Sequence, residues 1–220
     1  MRPRLLDLFC CAGGAAVGYH RAGFDVVGVD ITNQPNYPFE FHKADALDYL
    51  VSHGLDFDAI HASPPCQAST ALTKGTNQGK EYPQLIPDTR ALLAYYRVPT
   101  VIENVQGSDL RRDLTLCGEM FGLGVIRHRY FEIANATVEQ PEHVPHRGRG
   151  AGYRHGAWYD GPYFAVYGDG GGKGTVAQWQ QAMGIDWTDV RKEIAEAIPP
   201  SYAEYIGRAL IAQIEMRAAS

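Results

Sequence analysis

Residues 4–23 read RLLDLFCCAGGAAVGYHRAG. Residues 4–9 are a short apolar run of strand type. Residues 10–14 are a glycine-rich turn, and the rest is a helix that stops at Gly23. Glycines at such a turn let a ligand approach the backbone, and the start of the helix behind them favours a negative group. The alternation then continues along the chain. FDVVGVDI (24–31) is a second strand with Asp30 near its end, and FHKADALDYL (41–50) is a short strand with a helical turn starting near Asp45. DFDAIHAS (56–63) is a strand, IPDTRALLAYYR (86–97) has apolar residues at helical spacing, and PTVIENV (99–105) is another strand. This order predicts a doubly wound, mostly parallel α/β sheet of Rossmann type.

Downstream, IRHRYFEI (126–133) predicts one more strand, with Arg127 and Arg129 alternating on one face. From 134 to 174 glycine, arginine, histidine and tyrosine crowd the chain, which predicts an irregular or small β insertion. VAQWQQAMGI (176–185) and PPSYAEYIGRALIAQIEMRA (199–218) predict closing helices, with Pro199 and Pro200 setting the start of the last. Three parts are expected: a catalytic part at 1–133, the insertion at 134–174, and C-terminal helices at 175–220 that return to the first.

Composition narrows the class. The chain has 220 residues, 45% hydrophobic, which is enough for a real core. No apolar run reaches the ~20 residues of a membrane span. The N-terminus runs straight into a strand, so no signal peptide is expected. Cys10, Cys11, Cys66 and Cys117 form neither a disulfide framework nor a paired zinc pattern, so a reducing, cytoplasmic setting and no metal are expected. The net charge is −5, yet residues 143–155 carry three arginines, three histidines and no acid. Such a basic stretch on an acidic chain is either an electrostatic footprint for phosphate or a solvated loop.

HASPPCQ (61–67) places one cysteine behind two prolines at the end of a strand. A thiol mounted so rigidly suits a nucleophile, although a small residue fitted beside prolines has the same look. In an open α/β sheet the carboxyl ends of the strands face one crevice. The glycine turn, Asp30, Asp45, Cys66 and Glu103 should therefore gather there. Asp30 lies about twenty residues beyond the turn, where a Rossmann-type fold sets an acid on ribose hydroxyls. The G-x-G-x-x-G spacing for a pyrophosphate is absent, and a nucleoside with an amino-acid tail, S-adenosylmethionine, fits the turn better. Each residue also has a plainer reading: Glu103 as a helix cap, Cys117 as core, and His128 as pointing away from the arginine face.

Taken together, these motifs resemble those of the cytosine-C5 DNA methyltransferases. DLFCCAGGAAVGYHRAGF looks like the family's cofactor turn, SPPCQ its nucleophile motif, ENV its glutamate motif and RHRYFE its arginine strand. QAMGI and EAIPPSYAEYIG look like the C-terminal motifs that complete the cofactor site. The matches follow the family's order over residues 5–210, and the compact insertion looks like that of small bacteriophage and bacterial members.

The resemblance implies a Rossmann-like, S-adenosylmethionine-dependent fold and a flipped-out cytosine in double-stranded DNA. It also implies a catalytic set of Cys66, Glu103, Arg127 and Arg129. Cys66 would attack C6, Glu103 would hold N3 and the amine, Arg129 would bond O2, and Arg127 would steady the Cys66 loop. Residues 68–84 match the position of the family's mobile catalytic loop. Cofactor contacts are implied for Phe9, Cys10, Cys11, Ala12, Gly13, Gly14, Asp30, Ile31, Asp45, Ala46, Pro65, Glu196 and Ala197. A monomer with no obligate protein partner and no membrane contact is expected, and a role in avoiding restriction is implied.

The chain departs from the pattern at Cys11 (usually glycine), at Val125 (usually glutamine) and at Ala195-Glu196 (usually Gly-Asn). Its short insertion would read about two to four base pairs. The alternatives are a tRNA enzyme of the same family, a silent DNA-binding relative, an amino-methylating enzyme, and a dinucleotide oxidoreductase. The first lacks its Cys-Phe-Thr signature here. Retention of Cys66 and Glu103 argues against the second. Cys66 in the place of an aromatic argues against the third, and the glycine spacing against the last.

Overall fold

The computed structural model describes residues 2–65, 85–143, 145–154, 157–167 and 174–219. Cys66 and residues 68–84 lie outside the described residues. Five parallel strands carry the first half: β1 (Arg4–Leu8), β2 (Asp25–Asp30), β3 (Glu40–Lys43), β4 (Ala59–Ala62) and β5 (Thr100–Val105). Two more, β6 (Leu114–Leu116) and β7 (Arg129–Ala134), complete a seven-stranded sheet in the order β3-β2-β1-β4-β5-β7-β6. Only β7 runs against its neighbours, which bears out the doubly wound, mostly parallel expectation. The chain reverses direction across the sheet between β1 and β4, and ligands of this fold class bind at that point.

Helices cover both faces: α1 (Gly14–Ala22) and α6 (Pro200–Ala218) on one, α2 (Ala46–His53) and α3 (Leu85–Leu93) on the other. The strand period of two sorts the side chains. Leu5, Val26, Ala59 and Val101 enter the first layer with Tyr19, Tyr202 and Ile206, while Leu6, Val27, Ile60 and Ile102 enter the second with Leu50 and Leu93. The same alternation puts Asp7 and its register partner His61 on the first face, with Glu103 two residues beyond Val101, the partner of His61, and all three are buried. The close approach of α1 to α6 depends on small residues. A Cβ at Gly18 would stand 2.1 Å from the Pro200 carbonyl oxygen.

The insertion holds β8 (Gly150–Arg154), β9 (Ala157–Tyr159) and β10 (Tyr163–Phe164), paired in the order β10-β8-β9. Behind it α4 (Val176–Met183) and α5 (Arg191–Glu196) enclose a third apolar cluster around Trp179, Met183 and Ile194. Sequence pattern did not reveal α5, since its six residues span less than two turns.

The strand expected from residue 126 begins only at Arg129. Arg127 has a φ of 37°, and a left-handed residue cannot continue a strand. Arg127 and Arg129 therefore do not share one alternating face. His128 does turn away from the Arg129–Glu103 side, and Cys117 is fully buried.

Candidate active site

The carboxyl ends of β1, β2, β4 and β5 bring four sequence motifs to one edge. The glycine turn follows β1. Cys10 N–H donates to the Val29 carbonyl (3.1 Å), and Cys11 N–H donates to Asp30 Oδ2 (3.1 Å). Positive φ at Phe9 (57°), Cys11 (45°) and Gly13 (89°) curls the turn tightly. At Gly14 an added Cβ would meet the Ile198 carbonyl oxygen at 2.4 Å, so this glycine is what lets the C-terminal segment close over the turn. Trp187 Nε1 donates to the Ala12 carbonyl at 2.7 Å and braces the same turn from 175 residues away.

Asp30 is buried, and its Oδ1 accepts from the backbone and hydroxyl of Thr32 (2.9 and 2.7 Å). Ile31 beside it is 66% exposed, an apolar platform next to a fixed carboxylate. Asp45 lies at the start of α2, where its Oδ1 accepts from the Leu47 and Asp48 amides (2.9 and 3.1 Å) as a helix cap, with Ala46 buried behind it. Glu196 ends α5 and Ala197 follows it, buried. Its charge is felt at the glycine turn: desolvation, then Asp30, Glu196, Asp7 and Glu103 push the Cys11 thiol up to about 12. A turn flanked by Asp30 and Glu196 suits a ligand carrying positive charge. The described residues thus fit S-adenosylmethionine, whose sulfonium and ammonium are cationic and whose adenosine needs an acid for ribose and an apolar face for the base.

The second half of the site lies on β4 and β5. Glu103 is buried, and Arg129 Nε stands 2.9 Å from its Oε1. That contact is an ion pair without the alignment of a hydrogen bond, so Oε1 keeps its acceptor capacity. Burial raises the Glu103 pKa, against the opposing pull of Arg129, the Ser63 hydroxyl and Arg127. Ser63 in turn contacts His61 Nε2 (2.9 Å), and His61 Nδ1 meets the Tyr19 hydroxyl (3.0 Å). Burial drives the His61 pKa down to about 3, so the ring is neutral and relays a hydrogen bond rather than a charge. Asn104 Nδ2 donates to the Pro64 carbonyl at 2.8 Å, and its Oδ1 accepts from the Val105 amide. The Pro64-Pro65 segment is thereby tied to the strand that carries Glu103, with Pro65 exposed at the edge.

Tyr19, His61, Ser63, Asn104 and Trp187 were not identified from sequence. The Tyr19–His61, Asn104–Pro64 and Trp187–Ala12 bonds join residues 40 to 175 positions apart, which only β pairing or loop closure brings together. Arg127 sits elsewhere than on a strand face. It donates to the carbonyls of Val166 (2.8 Å), Ala195 (2.6 Å) and Ala197 (2.8 Å), joining the insertion to the C-terminal segment. The Cys66 loop it was expected to steady lies outside the described residues.

No protein-family model matches the chain. The chain is 27% identical over 146 residues to the type II methyltransferase M.XorII of Xanthomonas oryzae pv. oryzae, an alignment that takes in 59% of this chain but 31% of that protein. The chain thus matches about a third of that relative's length. Three solved structures cover 97% of this chain, with 99% of their own length aligned. They are a prophage-encoded candidate DNA modification methyltransferase of E. coli (14% identity, TM-score 0.64), the S. pombe Dnmt2 methyltransferase (14%, 0.67) and the Entamoeba histolytica methyltransferase EhMeth (12%, 0.67). At these identities the likeness is one of fold. The seven-stranded sheet with its single antiparallel strand is the Rossmann-like fold that these solved methyltransferases share.

Proposed function

We propose that this chain is a DNA methyltransferase that moves a methyl group from S-adenosylmethionine to C5 of a flipped-out cytosine. One observation carries the reading. Asn104 ties the Pro-Pro segment leading into Cys66 to β5, where Glu103 lies buried against Arg129, at the same sheet edge as the glycine turn flanked by Asp30 and Glu196. The motif order and the fold shared with known methyltransferases support it.

S-adenosylmethionine, when bound, supplies an electrophilic methyl group. Phe9, the residues of the turn, Asp30, Ile31, Asp45, Ala46, Pro65, Glu196 and Ala197 are the proposed cofactor contacts. In the proposed reaction the target base leaves the duplex and enters the crevice. Cys66, as thiolate, forms a bond to C6, and the electron pair of the 5,6 double bond moves to C5. Glu103, its pKa raised by burial, holds N3 and the exocyclic amine and offers a proton to N3, so the ring avoids a full negative charge. Arg129 hydrogen-bonds O2 from its place beside Glu103. Arg127 supports the Cys66 loop and the closure of the C-terminal segment. After C5 is methylated, loss of its proton restores the double bond and expels the Cys66 thiolate. Residues 134–174 are the proposed reader of the target sequence, with residues 1–133 and 175–220 forming the catalytic body.

The test is transfer of labelled methyl from S-adenosylmethionine to duplex DNA, with nuclease digestion to identify the product. We expect 5-methylcytosine, its loss in Cys66→Ser, and a fall of about 10²–10⁴-fold in Glu103→Gln. Methylation of RNA alone would move the substrate to tRNA. N-methylated bases, or full activity in Cys66→Ser, would overturn the mechanism.

A further inference from the structure

Where β6 and β7 meet the start of the insertion, four metal-binding side chains converge. Cys117 follows β6, His128 precedes β7, and His143 and His146 lie on the segment that leads to β8. Their ligand atoms, the cysteine sulfur and one ring nitrogen from each histidine, all lie within 4.8 Å of one another. Cys117 Sγ is 3.3 Å from His146 Nε2, and His128 Nε2 is 3.0 Å from His143 Nε2. Zinc held at about 2.0–2.1 Å from nitrogen and 2.3 Å from sulfur sets its ligand atoms about 3.3–3.6 Å apart, so small ring movements suffice to close this set on one ion.

His128 and His143 lie with their rings 7° from parallel and their Nε2 atoms 3.0 Å apart, so the two nitrogens meet in one place. The sulfur is also prepared as a ligand. Cys117 is buried at the end of β6, and its sulfur lies among the nitrogens of the three histidines. Its proton now faces the Ile126 carbonyl at 3.0 Å.

We propose that Cys117, His128, His143 and His146 form a structural zinc site of the CysHis3 kind, which pins the root of the insertion to the edge of the catalytic sheet. On binding, Cys117 gives its proton to solvent and ligates as thiolate, and each histidine ligates through a neutral nitrogen. Four protein ligands leave no open position, so the ion is structural rather than catalytic. The ion would also fix the backbone of His128, whose carbonyl accepts from Arg129 Nη1 at 3.0 Å. The inference stands on the cluster alone and does not need the reaction proposed above.

The full chain, treated with chelator and then titrated with Co²⁺, provides the test. We expect one ion per chain, the intense visible bands of four-coordinate cobalt, and a thiolate-to-cobalt charge-transfer band in the near ultraviolet. Zn²⁺ should displace the cobalt and raise the Tm. Cys117→Ser should abolish the charge-transfer band. His143→Ala, at an exposed position that leaves the core intact, should weaken binding at least about 100-fold, because losing a ligand costs more than the 10–100-fold of an outer-shell partner. The site is overturned if cobalt shows no thiolate band, if the band persists in Cys117→Ser, or if His143→Ala binds like the parent. Should Cys117→Ser fail to fold, His143→Ala and His146→Ala decide the matter.

Discussion

Asp7 shows how far a residue's setting depends on partners distant in sequence. It stands in an apolar strand and is fully buried, with Gly28 and His61 as its register partners. A Cβ at Gly28 would collide with the Tyr37 ring, so the glycine makes room for Tyr37 to lie over the strand with its hydroxyl toward Asp7. Desolvation, then the charge of Asp30, holds the Asp7 carboxyl well above the usual carboxylate range. A raised folded-state pKa contributes stability in full below the unfolded value of about 3.9, and that contribution is lost as pH rises through the folded value. Asp7→Asn removes the titration. Its Tm relative to the parent should therefore climb steadily from pH 4 to pH 8, and thermal melts across that range check it. A flat difference would mean the carboxyl is not desolvated.

The Asn104–Pro64 bond is the second residue-scale case. Asn104→Ala leaves the Pro64 carbonyl without its donor and should cost about 1–3 kcal/mol of stability by denaturant titration. On the proposed function it should also lower kcat more than it raises the KM for S-adenosylmethionine, because it touches the nucleophile loop and not the cofactor turn.

At the scale of elements, strands and glycine turns were legible because their signals are local. A period of two, a glycine pair after a strand and two prolines before a cysteine each occupy a few residues. That sufficed to predict β1, β2, β4 and β5 and to bring the glycine turn, Asp30 and Glu103 to one edge. What escaped was set by pairing between elements. The left-handed backbone at Arg127 shortens β7, and nothing in RHRY announces it. Trp187 reads as an ordinary aromatic until α5 and the 197–198 backbone close over the glycine turn. Two predictions follow from that closure. Gly14→Ala drives a methyl group into the Ile198 carbonyl and should destabilise the protein by about 1–3 kcal/mol in chemical denaturation. Trp187→Phe keeps the packing but drops the bond to Ala12, worth about 0.5–1.5 kcal/mol. If the turn holds the cofactor, calorimetry should show weaker S-adenosylmethionine binding with little change in Tm.

Across the whole molecule, charge is divided. The glycine turn is flanked by Asp30 and Glu196, while the insertion carries Arg147, Arg149 and Arg154 on a chain of net charge −5. Arg147 is committed to Glu119, with 2.6 Å between Nε and Oε1, whereas exposed Arg149 is the better candidate for phosphate. On the proposed function Arg149→Gln should weaken DNA binding about equally for all sequences and reduce the slope of log K against log salt by about 0.9. The Cys-His cluster belongs to this scale too. Its members are separated by 11, 15 and 3 residues, a spacing that matches no paired metal motif, and only the folded sheet edge assembles them.

On the proposed function Cys66 forms a bond to C6 of cytosine. A duplex containing 5-fluorocytosine, incubated with the full chain and S-adenosylmethionine, tests it most directly, because fluorine cannot leave as a cation and the adduct cannot collapse. A denaturation-resistant complex is expected, with a mass equal to protein plus DNA plus one methyl group and the crosslink mapped to Cys66 and absent in Cys66→Ser. Methyl transfer to ordinary DNA without any trapped complex on the fluorinated duplex, or a crosslink mapped to Cys10, Cys11 or Cys117, would contradict it.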